Sequence, residues 1–327
     1  MMPAAGPSPP AEKVTGRSRG IAVVLSLVAA LGWSSYYIFV LWITPGTAPS
    51  AILVYPFLVG GVAYAGWAVA EGHGREFARV WRDPSAYLRT GLLVGMQFSV
   101  LAATYLTGPV DASLLSLIGD VVATPLIVAF VLGQHRKQIR SRLFAVGLVV
   151  SLAGGTMTIA GGRSLSTVHG WGWLVVPAVP LTVAFYFLLT ARANERAPAS
   201  AVVGQSMLAA GLFCLVLAPL VPGGWPGVAE VSAGPFLVLA VTGLTSFFLA
   251  PALYFVALHR VGLVIPPMLM TAIPVFTLLL SGIVLGLALP LIAILGIPVA
   301  IVGALFTLRA ERAEGPALPA ESSPPTA

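Results

Sequence analysis

The chain has 327 residues, of which 58% are hydrophobic and only 9% are charged, and its mean hydropathy is +0.96. A soluble globular domain carries about 25% charged residues, so this composition excludes a water-exposed surface of ordinary size. The formal net charge of +6 does not indicate nucleic-acid binding, because the Lys and Arg residues are scattered over predicted loops and form no basic stripe.

The first twenty residues are polar and rich in proline, and they contain Lys13, Arg17 and Arg19. A segment of this composition cannot bury an apolar core, so we expect residues 1–20 to form a disordered cytoplasmic tail. The apolar run that begins near Ile21 is too long for the hydrophobic region of a signal peptide, and it is predicted to be the first membrane span. A second disordered cytoplasmic tail is predicted at residues 309–327.

Ten long apolar runs follow one another along the chain. In helical form, about 20 apolar residues cross a hydrocarbon core about 30 Å thick. The runs predict ten spans, numbered 1 to 10 in chain order, at residues 21–43, 50–70, 88–107, 112–133, 143–161, 171–190, 200–221, 235–257, 262–286 and 289–308. Turn signals separate them, such as Gly108-Pro109 between spans 3 and 4. The predicted fold class is therefore an all-α integral membrane protein with ten transmembrane helices.

The basic residues predict the orientation of these spans. Every Lys and Arg except Arg163 falls in a tail, or in or beside a loop that follows an even-numbered span. Cytoplasmic loops retain Lys and Arg, whereas translocated loops are depleted of them. We therefore expect a multi-pass protein of the cytoplasmic (inner or plasma) membrane, with both termini in the cytoplasm.

The chain also contains an internal repeat. Residues 104–134 align without gaps on residues 257–287, and the next span in each half carries two glycines seven residues apart. The repeat predicts two five-span halves, at residues 21–161 and 171–308. Because each half has an odd number of spans, the halves would be inverted relative to each other. Inverted repeats are typical of transporters whose substrate site lies near the membrane midplane.

Several short motifs are distributed along the spans. They are Leu31-Gly32-Trp33-Ser34-Ser35, Ala112-Ser113-Leu114-Leu115, Ile273-Pro274-Val275, Leu285-Gly286, and Leu295-Gly296 with Val302-Gly303. This set, over about residues 20–308, resembles the EamA-type ten-helix branch of the drug/metabolite transporter superfamily. The resemblance implies two copies of a five-helix unit and the export or exchange of small metabolites, amino acids or drugs.

The chain departs from that family pattern at three places. The Gly-Glu-Arg-like step that the family carries after spans 4 and 9 reads Gly133-Gln134-His135-Arg136 and Gly286-Leu287-Ala288 here. The Arg-Phe pair of span 2 is replaced by Tyr55-Pro56. The chain is therefore a divergent member by resemblance, and the substrate of better-known members does not carry over to it.

Asp120 is the principal candidate for coupling or substrate sensing. It follows the start of span 4 by eight residues, which corresponds to a depth of about 12 Å at about 1.5 Å per helical residue. A carboxyl group at that depth is costly unless it faces the bundle interior or a wet cavity. We expect Asp120 either to bind a proton or a cation, or to serve as a neutral or hydrogen-bonded structural group. Asp111, at the start of span 4, fits a helix N-cap.

Five further side chains are candidates for shaping a substrate pocket. They are Trp33, Tyr37, Gln97, Tyr186 and Thr245. Aromatic side chains near the middle of a span can stack on an apolar or cationic substrate, and buried amides and hydroxyls can bind its polar groups. The alternative is helix packing and hydrogen bonding between helices. For Gln205 and Ser246 we favour this alternative.

The residue census argues against an enzyme. The four histidines lie at or near predicted loops, and no cluster of acids or histidines is placed to hold a metal, so no cofactor or metal is expected. The hypothesis is a secondary transporter that works by alternating access around a cavity between spans 1, 3, 4, 6, 8 and 9. Its partners would be a small-molecule substrate, membrane lipids and, as an open alternative, protons, but no nucleic acid. The rival hypothesis is a non-transporting membrane scaffold or receptor-like protein. The oligomeric state is left open.

Overall fold

A computed structural model describes residues 16–119, 123, 126–127, 141–161, 172–261, 266, 269–288 and 290–312. All regular secondary structure in these residues is helical, which confirms the predicted all-α class. The main helices are α1 (Gly16–Ile43), α2 (Pro49–Ala70), α3 (Gly74–Val80), α4 (Pro84–Thr107), α5 (Pro109–Ile118), α6 (Arg142–Gly161), α7 (Gly172–Asn194), α8 (Ala199–Leu217), α9 (Gly224–Ala229), α10 (Ala233–Thr242), α11 (Ala250–Val261), α12 (Ile273–Leu285) and α13 (Leu291–Arg312).

Five helical segments among the described residues are long and apolar enough to cross a membrane. They are Gly20–Gly46, Pro49–Ala70, Pro84–Thr107, Ala199–Leu220 and Ala233–Leu258. Large apolar side chains are exposed on the outer surfaces of these and neighbouring helices, for example Val62, Val216 and Ile283. Such a surface faces lipid in a membrane protein, whereas in water it would promote aggregation. The protein is therefore a multi-pass membrane protein.

The predicted spans and the observed helices agree within several residues where the structure describes both. Helix α1 begins at Gly16 rather than near Ile21, and parts of predicted spans 4 and 9 lie outside the described residues. The Gly108-Pro109 break is confirmed: Gly108 has a φ of +104°, and Pro109 opens α5, where its missing N–H is not needed. The short helices α3 and α9 were not predicted.

The segment that corresponds to span 8 is not a uniform α-helix. Residues Gly243–Leu249, between α10 and α11, form a π-helical segment. π-helical insertions are rare and frequently occur at functional sites. This segment packs against α1 and α2, and the Ser246 hydroxyl donates to the Gly32 carbonyl oxygen of α1 at 2.6 Å. The irregularity is therefore anchored to the middle of α1.

Helices from the two halves of the chain pair with each other. The most extensive contact among the described residues joins α6 to α13, and α2 packs along α8. Helix α1 packs on both α11 and α12, while α7 packs on both α4 and α5. Helices α5 and α12 also meet. These pairings surround the middle of the bundle with α1, α4, α5, α7, the π-helical segment and α12.

Four glycines allow α6 and α13 to approach closely. They are Gly147, Gly154, Gly296 and Gly303, the two pairs that the repeat singled out. A Cβ atom on Gly154 would lie 2.7 Å from the Ala300 Cα, closer than real Cβ atoms come. By contrast, a Cβ atom on Gly91 would meet nothing within 4 Å. Gly91 therefore makes no close helix contact among the described residues.

We expect Gly154→Ala to lower the free energy of unfolding by about 1–3 kcal/mol, because the added methyl group must push α6 away from α13. Gly91→Ala is the matched control, since it adds the same methyl group in open space and should leave stability unchanged or slightly higher. Thermal unfolding of both variants in one detergent measures the difference. Equal melting temperatures for the two variants would contradict the observed α6–α13 crossing.

Candidate functional site

A cavity of about 110 Å³ lies in the middle of the bundle. Helices α1, α4, α5, α7, α8 and α12 and the π-helical segment all contribute to its wall. Apart from Met207 of α8, these elements correspond to the predicted spans 1, 3, 4, 6, 8 and 9. No charged side chain is among the described residues of the wall. The cavity can therefore hold a small molecule with apolar surface and a few polar groups.

One wall of the central cavity is aromatic. The Tyr36 ring makes edge-to-face contacts with Phe247 and Tyr37, at centroid distances of 5.6 and 5.7 Å. Trp33 packs edge-to-face on Tyr254 at 5.5 Å. Aromatic rings held in this way are rigid and present electron-rich faces, which favour apolar or cationic groups.

A second wall contains a hydrogen bond between helices. The Tyr37 hydroxyl of α1 donates to the Ser116 Oγ of α5 at 2.9 Å, and the Ser116 hydroxyl donates in turn to the Ala112 carbonyl oxygen at 3.1 Å. This chain of bonds fixes the Tyr37 ring against α5. It also places two hydroxyl groups at the cavity surface.

Two buried polar atoms in the cavity wall lack partners among the described residues. They are the Tyr36 hydroxyl oxygen and the Gln97 amide nitrogen Nε2. The two side chains are neighbours, but no hydrogen bond of acceptable geometry joins them. A buried polar group without a partner costs about 1–3 kcal/mol. A polar ligand group or a water molecule in the cavity would remove this cost.

The structure brings three of the predicted site residues together. Trp33, Tyr37 and Gln97 all line the central cavity. Tyr186 is buried behind the wall and packs edge-to-face on Phe187, which does line the cavity, with ring centroids 5.5 Å apart. Thr245 is not part of the wall: its hydroxyl donates to the Val241 carbonyl oxygen of its own helix at 2.8 Å.

Asp120 lies outside the described residues. Among the residues that the sequence argument missed are Ser116, Met207 and Phe247, all of which line the cavity. Ser116 precedes Asp120 by four residues, a spacing that could have drawn attention to it. Met207 and Phe247 resemble the many other apolar residues of their spans, so the sequence held no signal for them.

Asp111 belongs to a different, larger cavity of about 540 Å³ near the break between α4 and α5. The N-cap interpretation was wrong, because α5 begins at Pro109 and its N-cap is Gly108. The Asp111 side chain is instead buried in the first turn, with 3% of its surface exposed. No salt bridge to it is formed within the described part of the chain. Asp111 is thus a buried carboxyl group that lines a cavity.

Glu71, His73 and Ser200 meet where α2 ends near the start of α8. The Ser200 hydroxyl donates to Glu71 Oε2 at 3.2 Å, and the His73 Nδ1 lies 3.3 Å from both groups. A hydrolytic triad needs the nucleophile and the acid on opposite ring nitrogens, whereas here both contact the same one. The cluster therefore ties two helix ends together. Within the described residues, no group of three or more His, Cys, Asp or Glu side chains could hold a metal ion.

Comparison with known proteins bears on the fold of most of the chain and on the family of its second half. No curated protein matches the sequence. A crystal structure whose description states no function aligns with 90% of this chain and 99% of its own, with a TM-score of 0.65 and 22% sequence identity, which shows a shared fold. Residues 170–309 match the model of the EamA-like transporter family. This match identifies residues 170–309 as an EamA-like transporter domain of the drug/metabolite transporter superfamily.

Proposed function

We propose that this protein is a secondary transporter that moves small organic molecules across the cytoplasmic membrane by alternating access. The observation that carries the proposal is the central cavity, in which the Tyr36 hydroxyl and the Gln97 Nε2 have no partner among the described residues. The match of residues 170–309 to a transporter family supports the same conclusion. The basic loops and tails support an orientation with both termini in the cytoplasm.

The helix contacts support two inverted five-span halves, at residues 21–161 and 171–308. The halves would contain α1, α2, α4, α5 and α6, and then α7, α8, α10–α11, α12 and α13. In this division α1 corresponds to α7, α2 to α8, α4 to α10–α11, α5 to α12 and α6 to α13. Exchange of corresponding helices converts the α1–α11 contact into the α7–α4 contact, and the α1–α12 contact into the α7–α5 contact. All four contacts are present. The contacts α2–α8, α5–α12 and α6–α13 each join two corresponding helices, so the exchange leaves them unchanged. This is the pattern that a two-fold axis between the halves would produce.

The central cavity lies between these halves. Trp33, Tyr37 and Gln97 come from the first half, and Phe187 and Phe247 come from the second. Rocking of one half against the other would expose the cavity to each side of the membrane in turn. Its volume of about 110 Å³ and its aromatic wall favour a compact substrate with an apolar or cationic part, such as an amino acid or a small amine. The direction of transport would be export or exchange.

Gln97→Met tests the role of the cavity, and Gln205→Met is its matched control. Both glutamines are buried and have an unpartnered Nε2, but only Gln97 lines the cavity. Replacing a buried amide whose Nε2 has no partner by an apolar side chain of similar shape should change stability by no more than about 1–3 kcal/mol in either variant. Gln205→Met also removes the hydrogen bond that the Gln205 Oε1 accepts from the Ser206 hydroxyl at 3.4 Å. Thermal unfolding of the two ligand-free variants measures this.

The two variants should differ once a ligand is present. A thermal-shift screen of amino acids, small amines and cationic dyes on the wild-type protein identifies ligands, which raise the melting temperature by mass action. We expect Gln97→Met to weaken the affinity of such a ligand by about twofold to tenfold, and Gln205→Met to leave it unchanged. The ligand should also be taken up by proteoliposomes. A ligand that binds but never crosses the membrane would favour the scaffold or receptor-like alternative.

Proton coupling by Asp120 is tested by Asp120→Asn. The variant should fold and bind ligand, but its uptake in proteoliposomes should no longer depend on pH, because the amide cannot take up and release a proton. Asp111→Asn is the comparison, since Asp111 is the buried carboxyl group of the other cavity. If only Asp111→Asn loses the pH dependence of uptake, the coupling group is Asp111 rather than Asp120. If both variants keep the pH dependence, neither residue couples transport to protons.

A further inference from the structure

A third cavity, of about 310 Å³, lies at the end of the bundle where α3 and α4 approach the end of α7 and the start of α8. Four arginines line it: Arg79, Arg82, Arg89 and Arg196. We call it the arginine pocket. It shares no lining residue with the central cavity.

Arg89 is the unusual member of the arginine pocket. Its side chain is buried, with 1% of its surface exposed, although it carries a full positive charge. Its Nη1 donates to the Ser85 Oγ at 2.9 Å and lies 3.9 Å from Asp83 Oδ2. Its Nε and Nη2 are buried and have no hydrogen-bond partner in the described part of the chain. These two nitrogens form one side of the guanidinium fork, the side that binds two oxygens of one anion.

The remaining charges of the pocket compensate the charge of Arg89 only in part. Arg79, Arg82 and Arg196 are exposed and add three positive charges. Asp83 is the one acidic residue among the described residues that line the pocket. Hydrogen bonds from the Ser85 side chain and backbone N–H hold the pKa of Asp83 below its ordinary value. It is therefore ionised at neutral pH, and four positive charges face one negative charge. Leaving a buried guanidinium half-paired is costly, and an anion in the pocket would reduce that cost.

We propose that the arginine pocket binds a phosphate group. A phosphate offers several oxygens to the free side of the Arg89 fork and to the exposed arginines around it. Two sources carry this chemistry: free phosphate or a phosphorylated metabolite, and the headgroup of an anionic phospholipid. Arg79, Arg82 and Arg89 belong to the first half of the chain and Arg196 to the second. The bound phosphate therefore bridges the two halves at this face.

The first experiment titrates inorganic phosphate into the purified full-length protein in an uncharged detergent. Chloride keeps the ionic strength constant, and calorimetry measures the dissociation constant. We expect saturable binding by the wild-type protein and binding at least about tenfold weaker in the double variant Arg82→Gln/Arg196→Gln, because two charge-assisted contacts are lost. The matched control is Arg75→Gln/Arg192→Gln, which removes two exposed arginines that do not line the pocket and should bind as the wild type does.

The second experiment tests the lipid source. The same proteins are placed in nanodiscs of phosphatidylcholine with and without phosphatidylglycerol, and native mass spectrometry counts the anionic lipids that remain bound. Retention by the wild type and the control, with loss in Arg82→Gln/Arg196→Gln, identifies the headgroup. Phosphate binding without lipid retention identifies the free anion.

Arg89→Lys adds a test of geometry. Lysine keeps the positive charge but has no fork, so we expect weaker phosphate or lipid binding than in the wild type. Two results would overturn the proposal: no saturable binding by the wild type in either experiment, or the same loss in the pocket variant and in the Arg75/Arg192 control. The second result would show that binding depends on the overall positive charge of the protein and not on the arginine pocket. Because the pocket variant alters only exposed arginines, its outcome does not depend on whether Arg89→Lys folds.

Discussion

The structure depends on satisfying polar groups without water. In the hydrocarbon core each backbone N–H and C=O must find its partner within the protein, so the described chain is helical. Side-chain hydroxyls follow the same rule, and those of Ser26, Thr104 and Thr277 each donate to the carbonyl oxygen four residues earlier. Against this background, a buried polar group without a partner is informative. Such groups also occur away from the central cavity, as at Gln205, so they point to a ligand only where their residue lines a cavity.

Two sets of groups without a partner among the described residues belong to side chains that line cavities of different chemistry. In the central cavity they are neutral, on Tyr36 and Gln97, and the surrounding wall is aromatic. In the arginine pocket they are the charged Nε and Nη2 of Arg89, and the surrounding wall is basic. The first environment suits a compact molecule with apolar surface, and the second suits an anion. The same physical rule therefore supports two separate proposals, a substrate site and an anion site.

The sequence predicted the limits of the helices well because bilayer thickness fixes how many apolar residues a span needs. It found Trp33, Tyr37 and Gln97 because aromatic and amide groups are conspicuous in the middle of an apolar run. It could not find the faces on which helices meet. Gly91 and Gly154 look alike in sequence, but only Gly154 packs closely on another helix. Thr245 lies in the π-helical segment but does not line the central cavity, whereas its neighbours Ser246 and Phe247 do.

The two candidate sites share helices α4 and α7. Arg89 and Gln97 are eight residues apart on α4, about 12 Å along the helix axis. Helix α7, which packs against α4, brings Phe187 to the central cavity and ends next to the arginine pocket. Any rocking that separates α4 from α7 would alter both sites together. By thermodynamic linkage, an anion that prefers one arrangement of the halves must then change substrate affinity by the same factor as the substrate changes anion affinity.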